Sequence, residues 1–303
     1  MTTNLALGFI KPHAAMSDSL WTWLRAALEQ RGIHVSAEMI VTGLEIREKG
    51  LIDRHYTVIA RVGGCPQPQT LELNDTALAA FQSAFGLSWS QAIDRNLLFS
   101  GMAALEKLNV TPAALMRLWS AAKTAKIGPG FYIGAIQGIL VLNGFYPSIR
   151  EIYTTEDGRI RCFLLEFDGD VLPWKRFRAE VIGATDPARA ITSSIRGTLF
   201  RRRDEFGLAM DARDNVIHAS ASPFEAMMER AIWMPGFDPA ADPLWQALAG
   251  SGIGRPALAA LACHNPVVTL DGKTASAIDH LEDTDTPNAA VLIRRLIGDV
   301  HGG

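Results

Sequence analysis

The sequence predicts an α+β fold, and three observations carry that expectation. Leu5–Ile10 is an unbroken apolar run of strand length. Ile33, Val35, Ala37, Met39 and Val41 recur at every second position. Residues 58–142 change character, to short segments rich in alanine and leucine. An unbroken apolar run suits a strand covered on both faces, whereas a period of two marks a strand with one buried face.

Taken in order, the first strand ends at Lys11-Pro12, because proline cannot donate to a ladder, and Lys11 is left at a strand end. Ser17, Asp18 and Ser19 can cap a helix whose apolar residues Leu20, Trp21, Leu24, Ala27 and Leu28 follow helical spacing, with Gly32 placed to stop it. The alternating strand comes next. Residues 58–142 read as a helical insertion, one of its helices opening on Thr111 as cap with Pro112 in the first turn. Inside it, Lys126-Ile127-Gly128-Pro129-Gly130 lacks the spacing and lysine-serine ending of a P-loop and reads as a plain loop.

After a turn at Glu156-Asp157-Gly158, Cys162–Leu165 is expected to be a third strand, Trp174–Ile182 a helix, and Phe206–Met210 a short edge or closing strand. Ser222-Pro223-Phe224-Glu225 has the form of a capping box with proline at the first helical position, so a helix should run from there to about Met234. Residues 236–303 hold further helical pieces between Gly- and Pro-rich turns, a helical C-terminal extension.

Composition narrows the functional classes. The formal net charge of -3, with 48% hydrophobic and 20% charged residues, gives no sign of a polyanionic partner, so nucleic-acid binding is not expected. The one dense basic run, Arg201-Arg202-Arg203, is flanked by Asp204 and Glu205 and reads as a solvated turn or an anion contact. Three scattered cysteines suggest neither a disulfide framework nor a zinc knuckle. No apolar stretch reads as a leader or a membrane span, and a cytoplasmic setting is expected.

Asn215-Val216-Ile217-His218-Ala219-Ser220-Ala221-Ser222, with Glu229 on the following helix, resembles the active-site stretch of the nucleoside diphosphate kinase family. Upstream, Gly183-Ala184-Thr185-Asp186-Pro187 and Ser194-Ile195-Arg196-Gly197 are similar to its phosphate-binding loop, Ile10-Lys11-Pro12 to its first-strand lysine motif, and His55-Tyr56 to its His-Tyr pair. Asn143-Gly144-Phe145-Tyr146-Pro147 looks like the aromatic segment that follows that pair. The matching segments, about 4–56 and 143–235, keep the family's order and cover about half the chain.

The resemblance implies a ferredoxin-like antiparallel sheet with helices on one side, built from 1–57 and 143–235. It also implies ping-pong chemistry through a phosphohistidine on His218. Imidazole, largely unprotonated near neutral pH, can attack phosphorus without a separate base if its ring is held, and Ser220 and Glu229 are the candidates for holding it. Phosphoryl transfer depends on positioning and charge neutralisation, a role that suits Lys11 and Arg196, while the helix start at Ser222 would direct N–H groups at the phosphate. By resemblance, Thr185 contacts a donor phosphate, Asn215 the ribose, Tyr56 the phosphate at the histidine and Phe145 the base. Mg2+ rides on the phosphates of ATP or another nucleoside triphosphate, with no metal ligands from the protein, and self-association is implied.

The chain departs from the family in several places. A second phosphate-contacting arginine is replaced by Ala179 with Arg178 beside it, and a one-residue shift turns a helical side chain by about 100°. His13 stands where the family has aspartate, the loop after Arg196 is lengthened by Leu199–Glu205, and residues 57–144 separate Tyr56 from Phe145 where the family has a short connection. Such an insertion in a binding hairpin reads as a lid or specificity element, which favours a specialised small-molecule acceptor over the ordinary nucleoside diphosphate, or else as a structural or oligomer-forming unit. Nucleotidyl transfer and a catalytically quiet nucleotide-binding or scaffolding protein are the competing readings.

Overall fold

The computed structural model describes residues 3–301; positions 1, 2, 302 and 303 of the expected terminal segments lie outside it. The strands, in chain order, are β1 Thr3–Ile10, β2 His34–Thr42, β3 Leu98–Ser100, β4 Lys123–Gly128, β5 Phe131–Ile136, β6 Ile139–Leu142, β7 Arg159–Asp168, β8 Ile217–Ala219, β9 Val267–Leu270 and β10 Lys273–Ser276.

The core sheet has the order β2-β7-β1-β8 with every neighbouring pair antiparallel, which is the ferredoxin-like arrangement. In β1, Ala6 and Ile10 face one apolar cluster with Leu20, Leu24, Phe163, Trp174 and Phe177, while Leu7 and Phe9 face another with Val41, Cys162, Tyr153 and Trp233. Both faces are therefore covered, not one, and that explains why β1 is apolar from Leu5 to Ile10. Gly8, paired with Phe163 of β7, lies where a Cβ would come within 2.3 Å of the Phe163 ring, so glycine leaves the space over β1 that the ring occupies.

The helix Asp18–Glu29 is capped by Ser17, whose side chain accepts from the Leu20 N–H, as the sequence indicated. Trp174–Ile182 is helical, but its second half, Phe177–Ile182, widens into π-helical winding. The closing strand is β8, not Phe206–Met210. Arg203–Phe206 makes a 3-10 turn and Leu208–Met210 forms no strand.

The stretch 58–142 contains the expected helices, including Pro112–Ala121 capped by Thr111. It also contains what the sequence reading missed, a four-stranded sheet of order β3-β6-β5-β4 with its own apolar clusters. Lys126–Gly128 thus belongs to a strand, and Pro129-Gly130 to its hairpin turn. Asn143, in the left-handed region at φ 44°, fastens this unit: its Oδ1 accepts from the Tyr132 N–H at 2.8 Å, and its Nδ2 donates to the carbonyls of Gly130 and Ile59.

The C-terminal extension is likewise mixed, helices plus the hairpin β9–β10. It packs Leu244, Leu248, Leu258 and Ile293 against Phe224 and Met227 of the helix Pro223–Trp233, and a buried Arg230–Asp242 ion pair joins the two. No helix among the described residues is long and apolar enough to cross a membrane.

Candidate functional site

His218 is the middle residue of β8, paired in register with Phe9 of β1, and its ring stacks on the Phe9 ring at 4.6 Å. The chain enters β8 through a tight turn. Val216 has φ 69°, and the Ile217 N–H donates to the Asn215 carbonyl two residues back. A β-branched residue in that region is strained by about 1–3 kcal/mol, a cost that clusters at functional sites. The turn is held from outside by the Lys11 N–H on the Val216 carbonyl at 2.8 Å and by Arg196 Nη2 on the Ile217 carbonyl at 2.8 Å.

The imidazole is fixed through one nitrogen. His218 Nε2 lies 2.7 Å from Glu229 Oε1, and Ser220 Oγ donates to Glu229 Oε2 at 2.6 Å. Burial pushes the Glu229 carboxyl up, but the neighbouring His218, together with His55 and the Ser220 hydroxyl, more than offsets this and holds it below the usual range. An ionised carboxylate only accepts, so in the neutral imidazole Nε2 carries the hydrogen and Nδ1 the lone pair. Ser222 caps the following helix by accepting from the Glu225 N–H. The reciprocal half of the capping box is displaced, since the Glu225 carboxylate accepts from Ala221 rather than from Ser222.

A cavity of about 330 Å³ opens in front of His218, and it gathers most of the residues singled out in the sequence: Lys11, Tyr56, Thr185, Arg196, Asn215, Ser220 and Arg178. Lys11 Nζ donates to the Arg213 carbonyl at 2.6 Å, and burial, then the Arg196 charge, lowers its pKa to about 8. Arg196 is buried, its guanidinium pKa pushed down to about 10 by that burial, and its terminal nitrogens are on the Gly183 and Ile217 carbonyls. It therefore braces the two loops that flank the histidine, with only Nε left unpartnered. Asn215 Nδ2 donates to the carbonyls of Thr185 and Ala212 while its buried Oδ1 has no partner. Tyr56 shares a hydrogen bond with Tyr153, and burial raises its pKa.

Arg178 reaches the cavity despite the one-residue shift, aided by the wider π-helical winding, but it is held by the extension: Nη1 donates to Glu282 Oε2 at 2.8 Å and Asp283 Oδ1 at 3.2 Å. Phe145 does not join the cavity. Its ring packs edge-on to Trp119 and Tyr132, inside the inserted unit, because the segment that would carry it to the nucleophile is committed to that core. Nor do Arg201, Arg202 and Arg203 line it. Arg202 pairs with Glu205 and stacks over Phe206, and Arg201 donates to the Thr192 carbonyl. His13 lies beside Lys11 in an adjoining pocket.

From the sequence, His55 and Glu282 gained no role in the chemistry, and Glu225 only one in capping. His55 is buried with its ring edge-on to the His218 ring, the centroids 4.7 Å apart; Trp233 Nε1 donates to its Nδ1 at 3.2 Å, and burial lowers its pKa to about 3, so it stays neutral. With His218 and Glu229 it forms a set of ligand-type atoms within 4.8 Å of one another, suited in kind to a transition metal, although the 2.7 Å contact already commits His218 Nε2 to a hydrogen bond. Glu225 and Glu282 bring carboxylates to the cavity and to Arg178, and only the helical spacing of Glu225 from Glu229 signalled either.

No family model matches the chain. A nucleoside diphosphate kinase of Nocardioides sp. is 34% identical over 96 residues, 32% of this chain and 60% of the relative. Over that stretch the chain is similar to a nucleoside diphosphate kinase. It spans 60% of the length of that relative. Solved nucleoside diphosphate kinases match at lower similarity: the Borrelia burgdorferi enzyme with bound vanadate and ADP at 18% identity, covering 78% of this chain and 89% of that one with a TM-score of 0.37, and the Pyrobaculum aerophilum enzyme at 18%, covering 77% and 97% with 0.35.

Proposed function

We propose that this kinase-like chain is a nucleotide-dependent phosphotransferase, in which His218 Nδ1 takes the terminal phosphoryl group of a nucleoside triphosphate and passes it to an acceptor. The reading rests chiefly on the Ser220–Glu229–His218 chain of hydrogen bonds, which leaves Nδ1 as the unprotonated nitrogen of a clamped ring. A binding protein has no need of such an arrangement.

In the first half-reaction the Nδ1 lone pair attacks the terminal phosphorus, the bond to the bridging oxygen breaks, and a nucleoside diphosphate leaves with that electron pair. Glu229 balances the positive charge that develops on the imidazole. Lys11 and Arg178 are the cavity cations with reach for the phosphoryl oxygens, and Arg196 keeps the loops in register. Thr185 and Asn215 are assigned to the donor nucleotide, Asn215 through its unpartnered Oδ1.

The charged side chains on the cavity wall, Lys11, Arg178, Arg196 and Arg213, are cations apart from Glu225, which fits a Mg2+ carried by nucleotide phosphates and water rather than a protein cage; bound there, it would neutralise phosphate charge. Incubation with ATP labelled at the terminal phosphate should transfer acid-labile label to the wild-type chain and none to His218→Ala. Label arriving from the alpha position would instead support nucleotidyl transfer.

A further inference from the structure

Glu225 is a carboxylate on the wall of the His218 cavity that transfer between nucleotides does not use. It lies one helical turn before Glu229 on the same helix, so the two carboxylates project from one face, and Glu229 is the residue that holds His218. One oxygen, Oε2, accepts from the Ala221 N–H at 2.9 Å. The other has no hydrogen bond to any described residue and belongs to a side chain that lines the cavity with His218, Lys11 and Arg178.

The chemistry of the acceptor decides what such a group is for. A phosphate acceptor arrives with an oxygen already ionised and needs no base. A hydroxyl acceptor must lose a proton as its oxygen bonds to phosphorus, and a carboxylate at the reacting centre is the group that takes it. On the acceptor side, moreover, the aromatic residue expected to stack on a base, Phe145, is held in the inserted unit, and Tyr56 and Ile149 line the cavity instead.

We propose that Glu225 is the general base of the second half-reaction and that the acceptor is a hydroxyl-bearing small molecule. This rests on the phosphohistidine reading above. The acceptor oxygen bonds to phosphorus, its proton moves to the Glu225 carboxylate, and the phosphorus–Nδ1 bond breaks with its electron pair returning to Nδ1, which restores neutral His218.

The surroundings of Glu225 tune it for this. Burial, then the charge of Glu229, raises its pKa to about 8, with Glu282 of the extension adding to the rise and Arg178 opposing it. Lys11, Arg196, Arg213 and His218 stand around the same cavity, and Arg54, His55 and Cys263 lie beyond Glu229 in a second cavity that Glu225 also borders. A base of that strength works near neutral pH.

The test uses the full chain loaded with terminally labelled ATP, freed of nucleotide, and discharged either to molar glycerol, as the simplest hydroxyl acceptor, or to ADP. Wild type should form glycerol phosphate at a rate that climbs with pH toward about 8. In Glu225→Gln, whose amide oxygen can still accept from Ala221, the ratio of glycerol to ADP discharge should fall at least about 100-fold, with that ascending limb lost. Equal slowing of both discharges, or wild-type discharge to ADP with no glycerol phosphate, would overturn the proposal while leaving the phosphohistidine intact. Absence of label on the wild type would overturn both.

Discussion

His218 Nε2 stands 2.7 Å from Glu229 Oε1, and Glu229 Oε2 is in turn held by the Ser220 hydroxyl at 2.6 Å. One carboxylate thus sets both the orientation of the ring and the nitrogen that stays unprotonated. Glu229→Gln can turn its NH2 toward Nε2 and favour the opposite tautomer, so the rate of label uptake from ATP should fall on the order of 100-fold. Ser220→Ala removes a hydrogen bond to the ionised Glu229 carboxylate and should cost about 1.5–3 kcal/mol, roughly 10- to 150-fold. Rapid-quench measurement of phosphoenzyme formation checks both; a Glu229→Gln rate equal to wild type would contradict the tautomer argument.

Lys11 should couple nucleotide binding to protons. Burial and the Arg196 charge lower its pKa to about 8, so above that pH the empty cavity holds it largely neutral, and an arriving polyphosphate favours the charged form. Binding at pH 8–9 is therefore expected to take up a proton, and affinity should decline as pH rises through about 8. Calorimetry in buffers of different ionisation enthalpy measures the uptake. Lys11→Met should remove the share that Lys11 carries, leaving only what Glu225, raised to about 8 in the same cavity, takes up.

The residues gathered at the candidate site were largely legible in the sequence because they keep a fixed order along the chain: Lys11 at a strand end, Arg196 after a loop, and His218, Ser220 and Glu229 within a strand, turn and helix. What could not be read were contacts between distant segments. Nothing local ties Arg178 to Glu282, or His55 to Glu229 and Trp233. The missed hairpins are a different case, since Asp271-Gly272 and Gln137-Gly138 both take positive φ between short strands. Asp-Gly in particular is a strong hairpin signal, overridden in the reading by the alanine- and leucine-rich helices around it. Phe145 was misplaced because its family-like neighbours, Asn143 and Gly144, serve the inserted sheet.

Asn143→Ala should loosen that inserted unit. It deletes three hydrogen bonds and leaves the Tyr132 N–H and the Gly130 and Ile59 carbonyls without their partner. A loss of about 2–4 kcal/mol is expected in a urea melt, together with faster amide exchange at Tyr132. An unchanged melt would mean that the unit is held by its apolar clusters alone.

Arg178 should report on the extension. Arg178→Ala is expected to weaken nucleotide binding about tenfold, the scale of a lost hydrogen bond to a charged group. Glu282→Gln with Asp283→Asn frees the guanidinium and should shift affinity the other way, by a smaller factor because the pair is about one-third exposed. Titration with a fluorescent nucleotide separates the two; weakening in both variants would show that the acids position Arg178 rather than compete for it.

The nitrogen that carries phosphate is the sharpest test. Phosphorus NMR of the wild-type chain, loaded with ATP and held at alkaline pH, should show a phosphohistidine resonance of the Nδ1-linked isomer, absent from His218→Ala. A resonance of the Nε2-linked isomer, or none, would contradict the role assigned to the His218–Glu229 contact.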